Sequence, residues 1–225
     1  MSSFNKRLDA AAKLELSFMN AFNQHSSTHI IIKYGIESSK IAKAHSLIRF
    51  CYDNTSKFIR YIPDSVLVRR DGKNLNETIL IEFKAATTGI YSSKLFSDIQ
   101  KSCLDRGELP ITSMEDVFNM ENEALELYLK LASIDIKVVI IVMATYRKAG
   151  HLRAQFVQDI AVCQVKNPNE RFLTRGSGTM IANVNLESLI DIEDFFAHQF
   201  NIDASTMGTV KQSVFSAFEI SGQIR

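Results

Sequence analysis

Between Ile62 and Lys84 the chain sets two carboxylates and an ammonium at a spacing suited to phosphoryl chemistry. Asp64 follows Pro63 in the only Pro-Asp pair of the sequence, and Glu82-Phe83-Lys84 comes after 17 intervening residues. Glu77 to Ala86 (E-T-I-L-I-E-F-K-A-A) reads as a strand, in which side chains alternate between faces. Ile79, Ile81, Phe83 and Ala85 share one face and suit a core, whereas Leu80, Glu82 and Lys84 share the other. Charges in an apolar strand are costly unless paired or solvated. A sheet edge open to water satisfies that demand as well as a functional site does. Acid-x-Lys alone is a weak signal, because Asp71-Gly72-Lys73 and Asp135-Ile136-Lys137 also carry it. Only Glu82-Phe83-Lys84 lies inside an apolar strand and follows a Pro-Asp pair.

Register adds weight. Lys57 to Arg70 (K-F-I-R-Y-I-P-D-S-V-L-V-R-R) is strand-like and runs into Asp71-Gly72-Lys73-Asn74, a strong turn signal. Folded as an antiparallel hairpin with Asp64 opposite Glu82, the two strands turn about Lys73, inside that tract. Opposed residues have Cβ atoms ~4.5–5.5 Å apart, close enough for two carboxylates to share one cation. Two carboxylates completed by water or phosphate oxygens suit Mg2+, which keeps several waters and takes few protein ligands.

Ile62-Pro63-Asp64 followed by Glu82-Phe83-Lys84 resembles the PD-(D/E)XK nuclease superfamily, whose members include type II restriction endonucleases, Holliday-junction resolvases and repair nucleases. The resemblance implies an α/β fold with a restriction-endonuclease-like core, a central mixed β-sheet flanked by helices. It implies that Asp64 and Glu82 hold the metal with the Phe83 backbone carbonyl, and that Lys84 orients or deprotonates the attacking water. It implies Mg2+ as cofactor, with Mn2+ able to substitute, and double-stranded DNA as substrate. Members often carry an acidic residue on the first helix; Glu15 fits that place, with Glu37 as its rival. The resemblance most favours a type II restriction enzyme, acting as a homodimer whose two-fold matches a palindromic site. A structure-selective resolvase of viral or repair origin and a non-catalytic DNA-binding protein of the same fold are the alternatives.

The elements that must hold these residues are read from periodicity. Leu8 to Phe22 predicts an amphipathic helix, with Leu8, Ala11, Ala12, Leu16, Met19 and Phe22 near a 3.6 period. His29 to Tyr34 predicts a strand, and Ser38 to Tyr52 a helix. Ser93 to Leu104 predicts a helix that carries Gln100 and Lys101, and Ser113 to Ala132 an acidic, mostly surface helix. Ile136 to Thr145 is a continuous apolar run of strand length, hence a buried central strand. Thr179 to Leu186 predicts one more strand, and Leu189 to Phe200 a closing helix. The chain reads as one nuclease domain over 1–225, its core about 8–145. Residues 146–225 read as a C-terminal extension with DNA-contacting or dimerisation elements.

Composition sets the outer limits. Of 225 residues, 46% are hydrophobic and 23% charged, with 9 Gly and 3 Pro, so a packed core is expected and disorder is not. The apolar run from Val138 to Thr145 is far short of the ~20 residues a membrane helix needs. Asp9, Lys13 and Glu15 interrupt any opening signal segment, and three scattered cysteines without a C-x-x-C pair fit a reducing, intracellular (cytoplasmic) setting. Walker A, G-x-S-x-G, H-E-x-x-H and G-x-G-x-x-G patterns do not occur. The net charge is only +1, yet residues 1–75 carry 12 Lys/Arg against 6 Asp/Glu, and 76–135 carry 5 against 11. From Arg147 to Arg175 the basic residues Arg147, Lys148, Arg153, Lys166, Arg171 and Arg175 face only Asp159 and Glu170. That excess nominates Arg147, Lys148, Arg153, Arg171 and Arg175 as phosphate contacts. The tract Arg175-Gly176-Ser177-Gly178 reads equally well as a plain turn or a phosphate loop.

Overall fold

The run Val138–Tyr146 (VVIIVMATY) is apolar on both faces, and it sits in the interior of a six-stranded sheet with a core on each side. Val139, Ile141 and Met143 enter one core, while Val138, Ile140 and Val142 enter the other. A strand covered on both faces has no polar side to alternate with, hence the unbroken run. The computed structural model describes residues 3–33, 53–71, 78–86, 97, 100–101, 104–105, 107, 117–146, 149–166 and 180–220.

In chain order the elements are α1 (Ser3–His25), β1 (His29–Lys33), α2 (Asn54–Tyr61), β2 (Ser65–Arg69) and β3 (Ile79–Ala86). Then come β4 (Val117–Glu121), α3 (Asn122–Ala132), β5 (Val138–Tyr146), β6 (Ala149–Phe156) and β7 (Val162–Lys166). The chain closes with β8 (Ile181–Asn185), β9 (Ile190–Asp191), α4 (Ile192–Phe200) and α5 (Ala204–Ile220). The main sheet runs β1-β2-β3-β5-β6-β9 and the smaller one β4-β8-β7. Only the β3–β5 pair is parallel, so the main sheet is mixed. This is the α/β architecture, a central mixed sheet flanked by helices, that the sequence implies.

One core joins the ends of the chain. Phe18, Phe22, Leu67, Ile81, Phe83, Phe195, Phe196, Met207 and Val210 pack together between the main sheet and α1, α4 and α5. The other lies between the opposite face of the sheet, α3 and the small sheet, and includes Phe118, Leu125, Tyr128, Ile140 and Val184.

Several expectations need correction. Lys57–Tyr61 is helical: Asp53 accepts from Ser56 N–H at 2.9 Å and caps α2, and the strand begins only at Ser65. A local cap has overridden a β-prone run. Val117–Glu121 is a strand, with Val117, Phe118 and Met120 buried, and the helix starts at Asn122. That helix is not mostly surface either, since Ala124, Leu125, Tyr128 and Leu131 are buried at helical spacing. On α1 the buried stripe is Leu14, Phe18, Met19, Ala21 and Phe22, which leaves Leu16 56% exposed. The C-terminal third does more than extend the core: β6 and β9 belong to the main sheet, and α5 packs along α1. Ser38 to Tyr52 and the glycine tract 176–178 fall outside the described residues. Of Ser93 to Leu104, residues Ser97, Gln100, Lys101 and Leu104 are described, all helical. No helix among the described residues is long and apolar enough to cross a membrane.

Candidate active site

The hairpin register is the expected one. Ser65 lies opposite Ile81, Val66 opposite Leu80 and Leu67 opposite Ile79, and one further step brings Asp64 to Glu82. Asp64 sits just before β2, and its Oδ2 accepts the backbone N–H of Phe83 at 3.2 Å. The carboxylate thus continues the ladder after main-chain pairing has stopped. In an antiparallel ladder the N–H and C=O of one residue point to the same side. The Phe83 carbonyl therefore also faces the Asp64 side of β3.

Glu82 is 6% exposed, which rejects the reading of a sheet edge where its charge meets water. Its partner is Lys84, whose Nζ lies 2.5 Å from Glu82 Oε1. Tyr128 on α3 acts on Glu82 from the opposite layer and works against the rise of its pKa. Burial raises the Glu82 pKa above the usual carboxylate range, Lys84 works against that rise, and Asp64 adds to it. Asp64 is raised in the same way, by burial and then by Glu15, with Lys84 and the Phe83 N–H opposing. For Lys84, burial favours loss of the proton, but Glu82, Asp64 and Glu121 outweigh it and hold the ammonium above the ordinary lysine range.

Glu15 joins this group. It lies on α1, its carboxylate pairs with Lys33 of β1 at 3.3 Å, and its side chain is 13% exposed. Burial raises its pKa, Lys33 opposes the rise and Glu82 adds to it. Glu15 in turn raises Asp64, and Asp64 raises Glu82. Glu15 on α1 is thus within electrostatic reach of the Asp64, Glu82 and Lys84 grouping.

A polar network anchors the chain entering Asp64. The Tyr61 hydroxyl at the end of α2 donates to Glu123 Oε2 at 2.9 Å, and Lys57 and Arg60 pair with the same carboxylate at 3.4 and 3.6 Å. Arg60 also lies over the Tyr61 ring, 4.8 Å from its centroid. These contacts hold α2 against α3, so the Ile62-Pro63-Asp64 connection starts from a fixed point.

Three participants were not expected from the sequence: Lys33, Tyr128 and Glu121. Tyr128 could have been found as the one hydroxyl on the buried stripe of α3. Lys33 and Glu121 end short strands and carry no local signal. Of the basic candidates, Arg147, Lys148, Arg171 and Arg175 lie outside the described residues, as does Glu37. Arg153 is half-buried on β6, opposite Val142 and Asp191, and donates to the Leu186 carbonyl at 3.1 Å. Among the described residues no group of three or more His, Cys, Asp or Glu side chains gathers as a metal set.

No family model matches the sequence. No curated protein matches it either. Among solved structures, the chain is similar to Hjc, a Holliday junction resolvase from the archaeal hyperthermophile Archaeoglobus fulgidus. The TM-score is 0.37 at 10% identity, over 82% of this chain and 93% of that one.

Proposed function

We propose that this chain is a divalent-metal-dependent endonuclease of the PD-(D/E)XK type that hydrolyses phosphodiester bonds in DNA. The observation that carries the reading is the grouping of buried Glu82 with half-buried Asp64 and Lys84, held by the β2–β3 register and the Asp64–Phe83 N–H bond. Burying two carboxylates beside each other costs stability, and structural needs alone do not require it.

The residues present fit a divalent cation. Two carboxylates and a main-chain carbonyl form an all-oxygen donor set, which Mg2+ prefers and completes with water. Fewer than three acidic side chains suffice for such a site, in keeping with the absence of a larger cluster among the described residues. Asp64, Glu82 and the Phe83 carbonyl are the proposed holders, and Glu15 is a further carboxylate that acts on Asp64 and is acted on by Glu82. When bound, the cation supplies Lewis acidity at the phosphate and a water of lowered pKa. Lys84, held beside Glu82, places a positive charge where the phosphate becomes more negative and can orient the attacking water. Arg147, Lys148, Arg171 and Arg175 are proposed backbone-phosphate contacts, whereas Arg153 donates to the Leu186 carbonyl inside the fold.

Incubation of supercoiled plasmid with and without Mg2+ or Mn2+ tests the central reading, since the wild-type chain should nick only with metal. Failure to nick in either metal removes the nuclease assignment. The finer reading is a type II restriction enzyme working as a homodimer, and it predicts discrete fragments from linear duplex. A resolvase-like enzyme instead prefers four-way junctions over linear duplex of the same sequence. A non-catalytic DNA-binding protein shifts both substrates and cuts neither.

A further inference from the structure

One face of α2 is given over to a single carboxylate. Lys57, Arg60 and Tyr61 stand at i, i+3 and i+4, the spacing that puts three side chains on one side of a helix. Lys57 Nζ lies 3.4 Å from Glu123 Oε1, while the Tyr61 hydroxyl donates to Oε2 at 2.9 Å and Arg60 Nη2 lies 3.6 Å from it. Glu123 stands in the first turn of α3, which is itself fixed to the second core through Ala124, Leu125, Tyr128 and Leu131. In α2 only Tyr61 is buried, and eight residues are too few to hold a helix in place without outside contacts. Ile62 then ends α2 in an extended conformation, and Pro63 is buried with its φ fixed by the ring. These two residues alone separate Asp64 from a helix end that Glu123 pins. Asp64 Oδ2 is turned to the Phe83 N–H, so the direction of the whole carboxylate depends on where the Asp64 backbone is held.

We propose that Glu123 is a positioning residue, which fixes the end of α2 and, through it, the Asp64 carboxylate that holds the cation in the proposed site. The inference rests on the nuclease reading for its chemistry, and it adds that α3 sets the geometry of the site by way of α2. It also accounts for three donors converging on one carboxylate, where a lone surface ion pair contributes little to stability. Groups that orient metal ligands typically contribute about 10–100-fold in metal affinity or activity.

The test is Glu123→Ala, with Mn2+ affinity measured by calorimetry without DNA and melting curves to establish that the variant folds. Mn2+ affinity should fall about 10-fold or more. Plasmid nicking should fall by the same factor at limiting metal and return to within a few-fold of wild type at saturating metal. In an Asp64→Asn background the same substitution should change Mn2+ affinity little further, because its effect passes through Asp64. A merely structural role gives unchanged affinity in the folded variant, or an equal loss in both backgrounds. Either result overturns the role of Glu123 and leaves the nuclease reading intact. Should Glu123→Ala fail to fold, Tyr61→Phe and Glu123→Gln each remove part of the contact set. Weaker Mn2+ binding in either supports the proposal, and wild-type affinity in both overturns it. A wild type that binds Mn2+ but cuts no DNA overturns the nuclease reading and leaves the affinity comparison to decide on Glu123. A wild type that binds no Mn2+ overturns both.

Discussion

At the scale of single residues, the site stores repulsion. Asp64, Glu82 and Glu15 all have pKa values raised by burial, and each is raised further by another carboxylate of the group. A carboxyl with a raised folded-state pKa binds its proton more tightly in the fold than in the unfolded chain. It therefore weakens folding above the usual carboxylate range, and folding strengthens as pH falls through the raised value. Lys84 behaves oppositely, contributing stability below the ordinary lysine value that is lost as pH rises through its own raised one. Asp64→Asn keeps an acceptor for the Phe83 N–H and removes the charge. Without metal it is expected to melt higher than wild type at pH 7, by about 2–4 °C for each kcal/mol recovered in a chain of this size. The gain should shrink as the pH is lowered into the carboxylate range, and nicking should be lost. A lower melting temperature at pH 7 contradicts the argument. Asp64→Ala and Glu82→Ala should likewise abolish nicking while leaving DNA binding measurable by gel shift, and turnover like wild type in Mg2+ by either ends the assignment. Glu82 and Lys84 were legible because charge inside an apolar strand is conspicuous, and Asp64 because it stands in the one Pro-Asp pair before that strand. Tyr128 was not, because a tyrosine on an amphipathic helix looks like ordinary core.

At the scale of elements, what could be read depended on whether local pattern and tertiary context agreed. The β2–β3 register was legible because alternation on β3 and the Asp71–Asn74 turn signal both point to Asp64 opposite Glu82, and Ser65–Ile81 pairing carries it through. Helix α2 was not, because Phe58, Ile59 and Tyr61 favour strands and only the Asp53 cap and the Glu123 contacts favour helix. Strand β6 was hidden differently. Its alternation is plain, with Leu152 and Ala154 fully buried and Phe156 packed against the same core, but the count of basic residues around it suggested a DNA-tracking loop. Arg153 now separates the two meanings. It spends a guanidinium hydrogen bond on the Leu186 carbonyl within the sheet region. The Leu186 carbonyl also accepts the Leu189 N–H at 3.1 Å, so Arg153→Ala should cost only about 0.5–1.5 kcal/mol, the net contribution of one hydrogen bond, with no change in the salt dependence of DNA binding. Arg171→Ala, if it removes a phosphate contact, should lower the salt slope of log K by about 0.9 and leave stability alone. Denaturant melts and binding at several salt concentrations measure both. A changed salt slope for Arg153→Ala, with unchanged stability, returns it to the DNA-contacting set.

At the scale of the whole molecule, the two ends of the chain share one core on the face of the sheet opposite Tyr128. Helix α5 supplies Met207, Val210 and Val214, all fully buried, and packs against α1. It was not legible, because Ser, Thr, Gly and Val give A-S-T-M-G-T-V-K-Q-S-V little intrinsic helix preference. Packing makes this helix, since the spacing from Met207 to Val210 to Val214 keeps one stripe on the core. Burying one such side chain is worth roughly 1.5–3 kcal/mol, and three together rival the about 5–15 kcal/mol that a whole domain has to spare. Truncation before Ala204 is therefore expected to abolish cooperative unfolding. Met207→Ala should fold with a loss of about 2–5 kcal/mol, and its folded fraction should nick DNA at the wild-type rate, because the substitution sits across the sheet from Glu82 and Tyr128. Circular dichroism melts of both variants, with nicking assayed well below the melting temperature, check this. A truncated chain that melts like the full one refutes the shared core, and a nicking defect in folded Met207→Ala shows that the two faces of the sheet are coupled.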